Sequence, residues 1–396
     1  MSKVVCPYCF SEFNRNEVMF RCTNSRCTTS PDEPLKIFWG IPMSTTPSFT
    51  ENVGFFGRLI DRMPQSGTCP ECQHKSFNTI CPVCHNPVPR GMVEDKGYII
   101  SIIGARSSGK TNYITVLIDQ LKKNLHNLGH IGFRATSVGN RTEDYTTNRY
   151  MNDFYNVLYK SGQCPSQTAK TDRKNKVPLI YELTQNGVKP INLVFYDTAG
   201  ENFTDERDIE ANVKFLEQSD AIIYLLDTFA IPAVHEALGL KDEMELNYDV
   251  ILSNVFTHFT QYHPDKARSF FSKPMALTFS KIDAIIQNED IFSHVSIPHL
   301  NHDSSFLQGT GLNMDEINDI SKGIHDALYN VWNEQGFVNN IETGYNVKRN
   351  LKYFGISALG KSPDVNNNIK GIEPFRVLDP LAWILHELNY KVKMSQ

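Results

Sequence analysis

The chain has 396 residues, 40% hydrophobic and 21% charged, with a formal net charge of −5. That length leaves room for more than one folding unit, and the composition is that of an ordinary globular protein. The net negative charge counts against nucleic acid or an anionic membrane as partner, and no apolar run approaches the length of a membrane span. The start, Met-Ser-Lys-Val-Val-Cys, has no apolar signal core, so a cytoplasmic location is expected.

Eight of the nine cysteines fall within the first 84 residues. They come as Cys6-Pro-Tyr-Cys9, Cys22-Thr-Asn-Ser-Arg-Cys27, Cys69-Pro-Glu-Cys72 and Cys81-Pro-Val-Cys84. Four thiolates on two tight turns match the tetrahedral preference of Zn²⁺, so eight make two sites of zinc-ribbon type. Nearest-neighbour assignment gives Cys6, Cys9, Cys22 and Cys27 to one site and Cys69, Cys72, Cys81 and Cys84 to the other. An interleaved pairing uses the same residues equally well. Cys-Pro-Tyr-Cys also has the letters of a redox site, but that chemistry needs the pair at a helix N-terminus, and a Ser-Glu-Phe-Asn turn follows here. His74 and His85 lie near the later pairs as bystanders. Residues 1–96 hold ten Lys/Arg and nine Asp/Glu. Two zinc ions on eight thiolates would add a net charge of about −4, which again argues against a nucleic-acid-binding ribbon. Phe38, Trp39, Phe49, Phe55 and Phe56 supply aromatic material that would pack on the ribbons or the next domain, or dock a partner, with packing the favoured expectation. Pro87, Pro89 and Gly91 read as a linker, so a zinc-ribbon region is expected over 1–90 and a second domain over 91–396.

Tyr98 to Gly104 is a short isoleucine-rich run that reads as a buried strand, and Gly104 to Thr111 fits G-x-x-x-x-G-K-[ST]. Ile114, Leu117, Ile118, Leu121 and Leu125 then share one helical face. Strand, glycine-containing loop and amphipathic helix form the setting of a phosphate-binding loop. The backbone N–H groups around Gly104, Ser107, Ser108, Gly109 and Asn112 would wrap phosphates, aided by the helix N-terminus. Lys110 would reach the β- and γ-phosphate oxygens, and the Thr111 hydroxyl would coordinate Mg²⁺. Residues 129–177 are polar and irregular, with one helix-like piece from Asp144 to Lys160. They read as a long insertion that senses the γ-phosphate, with Thr168 favoured over Thr171 to close on Mg²⁺.

Asn192 to Phe195 reads as a buried strand leading into Asp197, placed to hold Mg²⁺ through water, and Gly200 can offer its N–H to the γ-phosphate. Ala221 to Asp227 is a further buried strand. Pro274 to Asp283 leads into Ser280-Lys281-Ile282-Asp283, similar to the guanine-specifying pattern Asn/Thr-Lys-x-Asp. Asp283 would accept hydrogen bonds from the guanine N1–H and 2-amino group, while the Lys281 stem covers the base. Gly355 to Ser362 repeats the phosphate-loop letters, but no amphipathic helix follows, so Ser357, Ala358 and Leu359 read instead as the loop whose backbone N–H meets guanine O6. Pro374 to Leu385 reads as a closing helix that buries Trp383.

Gly104–Thr111, Asp197–Gly200, Ser280–Asp283 and Ser357–Leu359 stand in the order found in Ras-like GTPases of the TRAFAC class. The zinc-ribbon head and the closing Arg376-Val-x-Asp-Pro-Leu-x-Trp383 segment resemble the bacterial double-GTPase proteins, a group associated with conflict or defence systems. The resemblance implies a doubly wound α/β fold, GTP or GDP with Mg²⁺, a switch cycle, a protein partner and a nucleotide-dependent homodimer. Glu201 stands where Ras-like proteins place the glutamine that orients the attacking water, so slow intrinsic hydrolysis or help from a partner is expected. Arg106 could lend charge to the phosphates. Two rival functions share the motifs: a nucleotide-holding pseudo-GTPase that works through its zinc ribbons, and an ATP-dependent P-loop protein for which Ser280–Asp283 is incidental.

Overall fold

Uninterrupted runs of β-branched and aromatic residues require cover on both faces, and the chain contains several. The computed structural model describes residues 3–95, 98–104, 107–129, 131–135, 145–165, 178–195, 215–240, 248–306, 308–346 and 349–395. The chain divides into two compact units. One comprises Met1–Ile99, Arg134–Arg149 and Lys176–Val194; the other comprises Ile100–Phe133, Tyr150–Asn175 and Phe195–Gln396.

The second unit holds β1 (Tyr98–Gly104) from Ile100 onward, with parallel strands β2 (Ala221–Asp227), β3 (Met275–Ser280) and β4 (Leu351–Gly355) side by side in that order. Their registers pair Gly104 with Leu225, Asp227 with Ser280, and Phe279 with Gly355, so their carboxyl ends finish nearly level. Every residue of β2 and β3 is buried, as expected of parallel strands covered on both faces. Helix α1 (Lys110–Asn124) follows β1, and its Ile114, Leu117, Ile118 and Leu121 are fully buried. Tyr113 and Val116 are buried too, so α1 is embedded more deeply than a single amphipathic face implies. Helix α2 (Met314–Asp326) starts on Asn313, whose side chain accepts the Asp315 and Glu316 N–H groups, and packs on β4. The closing helix α3 (Asp379–Glu387) carries Trp383, fully buried against Phe354. The α/β fold with a large central sheet is therefore as the sequence indicated.

The first unit contains the cysteine-rich head. Strand Met19–Arg21 pairs antiparallel with Ser48–Thr50 on one side and Thr79–Ile80 on the other. Phe20 and Phe49 stack inside this sheet, and Trp39 donates its indole N–H to Asn86. Phe55 and Phe56 depart from the expected packing: helix Gly54–Leu59 presents both to solvent at 77% and 78% exposure. The stretch read as a linker is structured. Val88 pairs with Thr79, helix Arg90–Asp95 follows, and Met92 and Val93 are buried. A Cβ on Gly91 would come within 2.7 Å of a Glu182 carboxylate oxygen, which fixes that helix close to strand Leu179–Thr184 of the same unit. Strand Ile191–Phe195 lies next to Leu179–Thr184. No helix among the described residues is long and apolar enough to cross a membrane.

Candidate functional site

The phosphate-loop motif sits at the carboxyl end of β1. Gly104 is required there by contact, because a Cβ would fall 2.6 Å from Ser108 Oγ and 2.9 Å from the Leu225 carbonyl oxygen. Ser107 and Gly109 take left-handed backbone, at φ 63° and 74°, which curls the loop and hands it to the helix. Gly109 is the N-cap of α1, and Lys110, Thr111 and Asn112 form its first turn. The Ser108 hydroxyl is buried with no hydrogen-bond partner among the described residues, an unspent donor inside the loop. A glycine packed to backbone contact, left-handed turns and an unspent buried hydroxyl at a helix N-terminus together fit a phosphate chain.

Two strands away, Ser280 ends β3. Its hydroxyl donates to the Leu226 carbonyl at 2.9 Å, and its own carbonyl accepts from Thr228 Oγ1. Lys281 adopts φ 58°, and its Nζ lies 2.6 Å from Asp227 Oδ2 and 4.9 Å from the Phe229 ring centre. Asp227 Oδ1 meanwhile accepts the Phe229 N–H at 3.0 Å. Asp283 opens a short helix, Asp283–Ile286, and is half-exposed. At the end of β4, the Ser357 N–H donates to Phe375 and its hydroxyl accepts from the Gly360 N–H. Of the three residues expected to face guanine O6, Ala358 keeps an N–H with no partner among the described residues, whereas that of Ser357 is spent. Leu359 is buried. The second phosphate-loop-like stretch has no helix after it, since Ser357 and Phe375 form an antiparallel bridge instead. Thus the described parts of three motifs stand at one end of one sheet, the end at which open α/β sheets bind ligands. Arg106, Thr168, Thr171, Asp197, Gly200 and Glu201 lie outside the described residues.

In the head, the cysteines gather as two tetrads: Cys6, Cys9, Cys81 and Cys84, and Cys22, Cys27, Cys69 and Cys72. The pairing is nested, one site enclosing the other in sequence, which overturns the nearest-neighbour assignment. The physical reason is the sheet, which brings Thr79–Ile80 back beside Met19–Arg21. Sulfurs lie 3.7 Å apart for Cys6–Cys84, 3.8 Å for Cys9–Cys81, 3.5 Å for Cys22–Cys72 and 3.9 Å for Cys27–Cys69. Thiolates about 2.3 Å from a tetrahedral Zn²⁺ stand about 3.8 Å from one another, so both tetrads fit that ion. Three of the four pairs build the same turn. Cys6, Cys69 and Cys81 each accept the N–H of the residue four positions on, Phe10, Gln73 and His85, all left-handed at φ 56–58°. The Cys6–Cys9 turn leads into strand Glu12–Phe13 and not into the helix N-terminus that thiol redox chemistry needs.

Burial pushes the Cys6 thiol well up and that of Cys22 up to about 12, while a backbone N–H from His74 draws Cys72 down to about 7. A divalent cation would compensate the thiolates that burial opposes. His74 and His85 stay off the tetrads, bonded to Thr23 at 3.0 Å and Asp32 at 2.8 Å. Sequence reading missed the network around Asp32, which also binds Arg21 at 2.8 Å, Thr45 at 3.1 Å and the Leu35 N–H at 3.1 Å. Burial opposes the charge on Asp32, yet Leu35, His85 and Arg21 together hold its carboxyl below the usual range. Arg21 adjoins Cys22 of one tetrad and His85 adjoins Cys84 of the other, so Asp32 braces both. Its one signal in sequence was Asp-Glu-Pro, a helix cap followed by proline in the first turn.

The family model for Double-GTPase 2 matches residues 98–290, the stretch from β1 through the Ser280–Asp283 loop. That match, over just under half of the chain, supports a P-loop GTPase of the double-GTPase group. The putative ESX-1 scaffolding and assembly protein SaeC of Mycolicibacterium smegmatis is 27% identical over 404 residues, covering 97% of this chain and 98% of that protein. Among solved structures, the GTP-bound GTPase-like domain of S. cerevisiae Ski7 is similar at 11% identity and TM-score 0.31, over 74% of this chain and 50% of that one. This chain therefore spans half the length of that structure. The signal recognition particle receptor SRb-GTP/SRX complex from Chaetomium thermophilum is similar at 13% identity and TM-score 0.27, over 68% and 94% of the two chains. At that identity and TM-score, neither structure adds to the assignment.

Proposed function

We propose that this chain is a GTP-binding, Mg²⁺-dependent switch that hydrolyses GTP slowly, with a zinc-bound head that relays nucleotide state to a protein partner. One observation carries the reading: the phosphate loop, Ser280–Asp283 and Ala358 meet at one end of the β1–β4 sheet. Lys110 and Thr111 hold the phosphates and Mg²⁺, with Asp197, Thr168 and Gly200 completing the metal and γ-phosphate contacts. Asp283 reads the guanine edge, Lys281 covers its face, and Ala358 meets O6. Glu201 lacks the donor that a glutamine offers the attacking water, so turnover is slow without a partner. The two tetrads hold one Zn²⁺ each, in a region proposed to span 1–90 ahead of a GTPase domain over 91–396.

A second reading, a pseudo-GTPase scaffold, draws support from the name of the mycobacterial relative, a scaffolding and assembly protein matched nearly end to end. That name also favours a bacterial assembly role beside a conflict or defence role. Nucleotide affinity of the purified protein with Mg²⁺, for GTP and ATP, tests the shared basis of both. GTP should bind at least roughly tenfold more tightly than ATP, and Asp283→Ala should erase the difference. Equal affinity for both nucleotides, unmoved by the substitution, would leave an ATP-dependent P-loop protein. Turnover measured in the same samples separates switch from scaffold.

A further inference from the structure

The base-reading loop of this chain departs from the Asn/Thr-Lys-x-Asp pattern at Ser280, and the structure shows what anchors the loop. Ser280 is buried, and its hydroxyl is spent on the neighbouring strand through the Leu226 carbonyl. The turn that closes β2, Asp227-Thr228-Phe229, returns the contact through the Thr228 hydroxyl to the Ser280 carbonyl. The next residue, Lys281, is held by its side chain: Nζ sits 2.6 Å from Asp227 Oδ2 and above the Phe229 ring. Asp227 is buried, and its second oxygen is fixed by the Phe229 N–H, so the carboxylate cannot swing away without uncapping its own turn.

We propose that Asp227 and Phe229 are positioning residues for nucleotide binding, seating the Lys281 ammonium so that its stem lies extended across the face of the bound base. The inference rests on the guanine reading of Ser280–Asp283. An unrestrained lysine samples many rotamers and must be ordered when the base arrives. Here the ammonium is tied at its far end by charge and by the ring face, so the stem is already laid out. Asp227 and Phe229 need not touch the base to do this. They act through Lys281, and that dependence makes the proposal testable.

The test is a double-mutant cycle on GDP affinity, by titration calorimetry on the full chain with Mg²⁺, with ADP as the comparison ligand. Asp227→Asn keeps the volume and the cap on Phe229 but removes the ion pair. Lys281→Met keeps an apolar stem and removes the charge. Asp227→Asn should weaken GDP roughly fivefold in the wild-type background and leave it unchanged beside Lys281→Met. Phe229→Leu gives the same cycle from the other side, with a roughly twofold loss that also vanishes beside Lys281→Met. This second arm carries the test if Asp227→Asn does not fold. Undiminished GDP affinity in both single variants overturns the proposal. So does an equal loss in both backgrounds, because a turn that merely supports the fold would harm either one. Wild-type protein binding GDP no better than ADP removes the guanine reading, and this inference with it.

Discussion

Phe10, Gln73 and His85 hold left-handed backbone although none is glycine, and each follows a Cys-Pro-x-Cys turn. That conformation costs an L-residue about 1 kcal/mol, and Gln73 is exposed, with only a 3.2 Å amide bond to the Pro70 carbonyl in return. Gln73→Gly should therefore stabilise the zinc-loaded head by roughly 0.5–1 kcal/mol, less its extra unfolded-state entropy. Denaturation at saturating Zn²⁺ would show this, and a lower midpoint would mean that the amide outweighs the strain. Gly104 is the opposite case. A methyl group there meets the Leu225 carbonyl at 2.9 Å, so Gly104→Ala should destabilise by about 1–3 kcal/mol and impair GDP binding together, seen in melting and titration. The two positions were unequally legible in sequence. Gly104 is marked by the motif around it, whereas nothing in the letters of Phe10, Gln73 and His85 signals a left-handed residue, since the conformation belongs to the turn that returns each N–H to the first cysteine's carbonyl.

At the scale of elements, the strands were the most legible part, because Ala221–Asp227 and Met275–Ser280 are apolar runs with sharp polar ends. Cysteine pairing was not, because it depends on an antiparallel contact between residues about sixty positions apart that local spacing does not encode. The nested arrangement has a consequence for metal removal. The outer tetrad joins Cys6 and Cys9 to Cys81 and Cys84, closing the longer stretch of chain, and the inner joins Cys22 and Cys27 to Cys69 and Cys72. Cross-links that close longer loops constrain the unfolded chain more. Elemental analysis should find two Zn²⁺ per chain. Cys9→Ser should reduce that to one and destabilise the head more than Cys72→Ser does. Two ions retained by Cys9→Ser, or none bound by the wild type, would refute the tetrahedral reading.

Taken as a whole, the second unit is closed by an ionic cluster whose Arg376 and Asp379 lie in the closing segment that sequence marked only as a resemblance. Arg376 is 2% exposed and left-handed at φ 52°. Its guanidinium reaches Glu316 on α2, Asp379 at 2.9 Å on α3, and the carbonyls of His299 at 3.2 Å and His302 at 2.8 Å. The Val377 carbonyl accepts the Tyr113 hydroxyl at 3.3 Å, so the closing segment is tied to the helix that carries Lys110. The motif marked the segment, but the burial of its arginine was illegible because an arginine in sequence reads as surface. Two carboxylates share one buried cation, and they divide the charge unequally. Burial opposes ionisation of Glu316, but Ser305 and Arg376 hold its carboxyl below the usual range. For Asp379 burial wins over Arg376 and pushes it up to about 6. A carboxyl raised in the fold is protonated there while still ionised in the unfolded chain, between about pH 4 and pH 6. The folded state binds the extra proton in that window, so Asp379 favours folding more as pH falls through about 6 and less as it rises. An asparagine cannot titrate. The stability of wild type relative to Asp379→Asn should therefore improve, by a shift of about 1.3 kcal/mol, on going from about pH 7.5 to about pH 5. Paired denaturation of both proteins at the two pH values cancels any loss of zinc common to them. A difference that is flat, or that moves the other way, would mean that Arg376 keeps Asp379 ionised throughout.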